Sequence, residues 1–228
     1  MTAPGAVRYE KKMGKATRDA YGEALVELGR ANADIVVLDA DLSKSTKTGL
    51  FQKAFPDRFF NMGIMEANLV GAAAGLARSG KIPFISSFAS FVINKGFDQL
   101  RVAVAFSGMN VKVVATHAGI SIGEDGPSQM GIEDVALACA LPGFIVCVPA
   151  DEHATRALVR AAAAHRGPVY IRGGRPKAPG VYAAEDQFEI GKARTLRDGR
   201  DIALIANGLL VAEALVAADT LSERGIAA

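Results

Sequence analysis

Five short apolar runs divide the chain: Ile35–Leu38, Ile82–Ile85, Val111–Ala115, Phe144–Val148 and Val169–Ile171. Ile35–Leu38 is continuously apolar, as expected of a strand buried on both faces in a parallel sheet, and the other four, one of them carrying Lys112, are predicted strands. Between them lie stretches of helical period. Thr17–Ala31 places Ala20, Ala24, Leu25 and Leu28 on one stripe, and Ile132–Ala140 and Asp151–His165 are further predicted helices. The alternation predicts an α/β fold, a parallel sheet flanked by helices, with ligands at the strands' carboxyl ends. Abundant Ala and Gly and the absence of Trp suit close helix–sheet packing.

With 228 residues, the chain is long enough to bury one sizeable core and part of a second. Residues 1–13 are expected to form a loose arm and 14–172 the main domain. Gly, Pro and charge from Gly173 to Asp186 mark a linker, placed at 173–200. Ile202–Ala206 is then predicted as a new strand and Leu209–Arg224 as a helix, so 201–228 is expected to begin a second α/β domain. One strand and one helix bury no core of their own, which leads to the expectation that this domain is cut short at Ala228. The net charge of +2 comes from well-mixed signs, giving no support for nucleic-acid or membrane-surface binding. No apolar run reaches membrane-spanning length and the N-terminus is not a signal peptide. Cys139 and Cys147 have neither CxxC nor zinc spacing and read as buried, reduced thiols of a cytoplasmic protein.

Chemistry concentrates between Phe59 and Ala77. A short aromatic strand ends, Gly63 turns the backbone, and a helix of small residues begins with Glu66 in its first turn. An acid there complements the helix dipole and needs no further role. The next acid downstream is Asp98, so Glu66 is expected alone in apolar surroundings, with no basic neighbour and its acid form favoured. Phe88 and Phe91, three residues apart, fit either a sandwich around a flat heterocycle or ordinary core packing.

The segment Phe55–Asn68 (FPDRFFNMGIMEAN) resembles the part of transketolases that presents their catalytic glutamate. Ser86–Phe91 (SSFASF), Phe97–Arg101 (FDQLR) and Ala115–Pro127 (ATHAGISIGEDGP) extend the resemblance, which covers nearly everything from Met13 onward. It implies the pyrimidine-binding domain of a thiamine-diphosphate enzyme, with the onset at Asp201 similar to the family's third domain. In this family a glutamate hydrogen-bonds the aminopyrimidine and favours the imino tautomer, whose nitrogen takes the thiazolium proton; Glu66 matches it, Asp41 matches an acid near the cofactor, and Phe88 and Phe91 match the aromatic wall. Arg18, Ser45, His117 and Arg172 match the positions that hold the sugar phosphate, where forked guanidinium groups and directional donors suit phosphate oxygens. Asp125 matches a contact to a substrate hydroxyl.

Two departures qualify the match. Transketolases grip the diphosphate through a metal motif, GDG followed after a spacer by NN, in an N-terminal domain. Gly123–Gly126 is not that motif and has no downstream asparagines. Gln129 stands where the family usually carries a histidine near the reacting end of the substrate. The resemblance therefore implies the C-terminal subunit of a split transketolase, in an α2β2 heterotetramer whose other chain brings GDG…NN, Mg²⁺ and the diphosphate grip. The implied reaction moves a two-carbon ketol unit from a ketose phosphate to an aldose phosphate. A 2-oxo acid dehydrogenase β subunit shares the architecture, and a non-catalytic partner of a complete transketolase is a third reading.

Overall fold

The computed structural model describes residues 8–228. Its centre is a six-stranded, wholly parallel sheet in the order β3-β2-β4-β5-β7-β6, formed by β2 (Ile35–Asp39), β3 (Phe59–Asn61), β4 (Ile82–Phe88), β5 (Lys112–Thr116), β6 (Ile145–Cys147) and β7 (Val169–Arg172). All five predicted apolar runs are strands of this sheet. β4 runs past its prediction, so that Ser86, Ser87 and Phe88 are themselves strand residues.

Two cores follow from the two-residue period of the strands. Val36, Leu38, Val113, Ala115 and Tyr170 face α4 (Glu66–Arg78), α5 (Ala89–Lys95) and α7 (Asp134–Cys139). Ile35, Val37, Val114, Val169 and Ile171 face α1 (Thr17–Ala31), α3 (Gly49–Ala54) and α8 (Glu152–Ala164). A short α2 (Ser43–Thr46) follows β2, and α6 (Phe97–Gln99) runs on into a π-helical turn over Leu100–Phe106. Register aligns the chemistry at one edge. Asp39 lies beside Asn61 and Ser86, Phe88 beside Thr116, and Ala115 beside Arg172. Winding reverses between β2 and β4, the switch point where a ligand crevice is expected in such a sheet.

Several expectations need correction. The loose arm is tied down where it is described: Tyr9 donates from its hydroxyl to Gly180 O and from its amide to Asp219, Lys11 pairs with Glu213, and Met13 opens β1 (Met13–Ala16). Residues 1–7 lie outside the described residues. β1 pairs antiparallel with β8 (Lys177–Pro179), inside the stretch expected as linker. Asp151 caps α8 through Ala154 N and also accepts from Val181 and Tyr182 N, which holds the next turn of that stretch to the sheet. Ile202–Ala206 is not a strand. A strand needs a paired neighbour, and among the described residues this segment has none, with Ile205 96% exposed. The helix after it is present as α9 (Leu210–Glu223). Cys147 is buried as expected, but Cys139, at the solvent-facing end of α7, is exposed; both are free thiols.

Candidate active site

Glu66 begins α4 and is 2% exposed. The turn that delivers it requires Gly63 at φ +69, where an L-residue would be strained. Ser87 on β4 donates to Glu66 Oε1 at 3.1 Å, whereas Oε2 is buried without a hydrogen-bond partner. The expectation that Glu66 has no basic neighbour fails: Lys95 Nζ, at the end of α5, stands 3.4 Å from Oε2. Sequence hid the pair because its members lie 29 positions apart and meet only through the packing of α5 on α4.

The phenylalanines do not sandwich anything. Their rings stack on each other, with centroids 5.5 Å apart and planes 21° from parallel, because α5 starts directly at the end of β4. They form one wall. Lys95 Nζ lies 4.6 Å over the Phe91 ring on one side, and on the other the His117 ring stacks on Phe88 at 3.8 Å.

His117 connects this apolar end to a cationic one. It follows β5 in the left-handed region (φ 58), an uncommon conformation for a non-glycine residue and one that marks functional loops. Burial first, then the nearby charges of Arg18, Arg175 and Lys47, push its pKa down to about 3, so the ring is neutral near pH 7. Arg18 Nη1 is 3.0 Å from Nε2 and 3.2 Å from the carbonyl of Ser45. A guanidinium only donates, so Nε2 accepts and the ring proton sits on Nδ1, facing Thr116 Oγ1 at 2.9 Å. In this arrangement His117 donates from Nδ1 to Thr116 and orients Arg18 through the accepting Nε2. Arg18 Nε is buried without a partner.

The other matched residues join this cluster unequally. Arg172 forks onto the fully buried Asp134, Nε to Oδ2 at 2.8 Å and Nη2 to Oδ1 at 3.1 Å, while the Tyr170 hydroxyl donates to the same carboxylate. Its Nη2 also holds Gly131 O, just past the loop that runs from His117 to Gln129. Asp125 is 3.6 Å from Arg175. Asp41 is exposed, left-handed (φ 63), and accepts from Asn61 at 2.8 Å. Gln129 enters through its backbone carbonyl, which accepts from Ser90 on α5. The structure thus joins Glu66, Lys95, Phe91, Phe88, His117, Arg18 and the Ser45 backbone in one continuous series, whereas Asp41, Asp125, Gln129 and Arg172 are engaged by other partners.

Sequence reasoning missed four contributors. Lys95 is one. Arg175 binds Glu124 at 2.6 Å and the Ile122 carbonyl at 3.2 Å, and so latches the GEDG loop beside Arg18. Asp39, fully buried, accepts from Thr46, Thr48 and the Leu42 amide and shapes the loop that carries Asp41 and Ser45; burial raises its pKa against those hydrogen bonds. Asp134 is the fourth. The signal for Asp39 was available, since an acid closing a buried apolar run needs nearby donors. Among the described residues no three His, Cys, Asp or Glu are grouped to hold a metal ion. No helix there is long and apolar enough to cross a membrane.

Comparison with known proteins agrees with this geometry. Residues 13–180 match the family described as "Transketolase, pyrimidine binding domain". A Methanocaldococcus jannaschii protein provisionally described as a transketolase C-terminal section is 48% identical over 216 residues, 94% of this chain and 68% of that protein. The 6-deoxy-6-sulfo-D-fructose transketolase subunit SqwH of a Clostridium species is 40% identical over 228 residues, 100% of this chain and 70% of that protein. A solved split-gene transketolase, an inactive β4 tetramer, superposes with a TM-score of 0.86 at 53% identity, covering 94% of this chain and 69% of that one.

Proposed function

The chain belongs to the transketolase family, and from that premise we propose that it supplies the pyrimidine half of a thiamine-diphosphate active site. Residues 14–172 serve as the pyrimidine-binding domain and 201–228 as the start of the family's C-terminal domain. The reaction is transfer of a two-carbon ketol unit from a ketose phosphate to an aldose phosphate, in the cytoplasm. A separate chain with GDG…NN brings Mg²⁺ and the diphosphate grip, in an α2β2 assembly. The split-gene relative solved as a β4 tetramer is described as inactive, which is the behaviour expected of a chain holding half a site.

The observation that carries this reading is the free oxygen of Glu66. A buried carboxylate oxygen without a hydrogen bond, beside an aromatic wall, fits a flat heterocycle that offers a ring nitrogen to the acid and a face to the rings. Thiamine diphosphate, when bound, supplies a carbon nucleophile that carries the two-carbon unit. Glu66 holds the proton shared with the pyrimidine nitrogen, Ser87 fixes the carboxyl through Oε1, and Phe88 and Phe91 orient the ring. Asp41 stands by the cofactor, and Asp125 and Gln129 meet the sugar hydroxyls. Arg18, Ser45, His117 and Arg172 define the substrate's phosphate end, with Arg18 the donor and His117 its support. The test is reconstitution with the chain carrying GDG…NN. Ketol transfer between sugar phosphates is the expected result. Oxidative decarboxylation of a 2-oxo acid, or no dependence on this chain, would contradict the reading.

A further inference from the structure

Lys95 closes α5 with about half of its side chain in solvent, its ammonium 3.4 Å from the free oxygen of Glu66 and 4.6 Å above the Phe91 ring. Gly96 fixes that approach. A Cβ at Gly96 would come 2.7 Å from the Val92 carbonyl, 3.1 Å from Val70 Cγ2 and 3.4 Å from the Glu66 carbonyl, so the end of α5 is pressed against the first turn of α4. The inference that follows rests on the function proposed above. An aminopyrimidine bound by this chain needs the free oxygen of Glu66 and the face of the aromatic wall. Lys95 already holds both.

We propose that Lys95 is a place-holding cation: it occupies the pyrimidine's two contact points in the cofactor-free subunit and swings to solvent as the ring enters. A carboxylate buried alone is strongly disfavoured, so Glu66 needs a counter-charge until the pyrimidine arrives. Lys95 supplies it in a form that is easily given up. Its contact with Oε2 is an ion pair without a hydrogen bond, and its own end stays half in water, where pairs contribute little. Four flexible methylenes let the ammonium leave without moving α5.

The test uses the assembled two-chain enzyme with Lys95→Met, which keeps the stem and removes the charge, and Lys95→Arg, which keeps the charge. Thermal unfolding without cofactor and the Kd for Mg²⁺–thiamine diphosphate are measured for each. Lys95→Met should lower the cofactor-free Tm by about 2–4 °C and tighten the Kd about three- to tenfold. Lys95→Arg should stay near the wild type on both. Opposite signs are the signature, because a merely structural lysine would lower stability and affinity together. Weaker cofactor binding by Lys95→Met, or no change in either quantity, overturns the place-holder. If the wild-type assembly binds no cofactor, it is the thiamine reading itself that fails.

Discussion

At the α4 end of the site one buried carboxylate keeps an oxygen without a hydrogen bond, whereas at the β5–β7 end the protein's own oxygens and nitrogens hold the cations' terminal nitrogens, with Arg18 Nε left buried without a partner. Arg18 leans on His117 and Ser45, Arg172 on Asp134 and Gly131, and Arg175 on Glu124 and Ile122. Under the proposed function the difference separates two tasks. A group that must exchange a proton is kept with a free valence and little help. Groups that must only attract an anion are fixed in advance, so that binding orders few side chains. Under the proposed function, substitutions at the first end should remove chemistry while leaving the fold, and those at the second should trade stability against substrate affinity.

The largest effect belongs to Glu66→Gln in the assembled enzyme. Turnover should fall about 10²- to 10⁴-fold with unfolding and the KM for sugar phosphate little changed; a near-normal rate would take Glu66 out of the mechanism. Next comes Arg172→Ala, which leaves Asp134 buried and unpaired. A stability loss of about 3–5 kcal/mol is expected in urea unfolding, and a loss near zero would show that Asp134 is not held by this arginine. Arg18→Ala should sharpen the contrast: about 1.5–3 kcal/mol lost from binding a phosphorylated substrate, with less lost from the fold. An equal loss with an unphosphorylated analogue would make Arg18 structural.

A pH titration probes the same end more gently. His117 has its pKa depressed from 6.5 to about 3 in the fold, so between those values the unfolded chain binds a proton that the folded one refuses. Its contribution is therefore complete above about pH 6.5 and lost as pH falls toward 3, with a slope of at most about 1.4 kcal/mol per pH unit. His117→Gln keeps an acceptor for Arg18 and should flatten that part of the acid limb; an unchanged limb would mean another group carries it. Gln129→His is the smallest expected effect. Gln129 offers an amide that does not titrate, so the histidine variant should raise kcat/KM for common pentose phosphates relative to the native donor. The same donor ranking in both variants would show that Gln129 does not set specificity.

The sheet was legible because buried parallel strands leave continuous apolar runs, and every run in the first 172 residues became a strand. Glu66, Phe88 and Phe91 were legible from their own segments. Their partners were not. Lys95 reaches Glu66 only through the close packing allowed by Gly96, and Asp134 reaches Arg172 across the loop and α7. Such contacts leave no local period in the sequence. Ile202–Ala206 failed for the opposite reason, having strand composition without a neighbouring strand among the described residues.

Under the proposed function this chain brings the pyrimidine end of the cofactor site and a partner chain brings the diphosphate end. Calorimetric titration of Mg²⁺–thiamine diphosphate into the chain alone, and into its mixture with the chain carrying GDG…NN, tests it directly. Tight, Mg²⁺-dependent binding is predicted in the mixture only. Tight Mg²⁺-dependent binding to the isolated, monodisperse chain would contradict the claim.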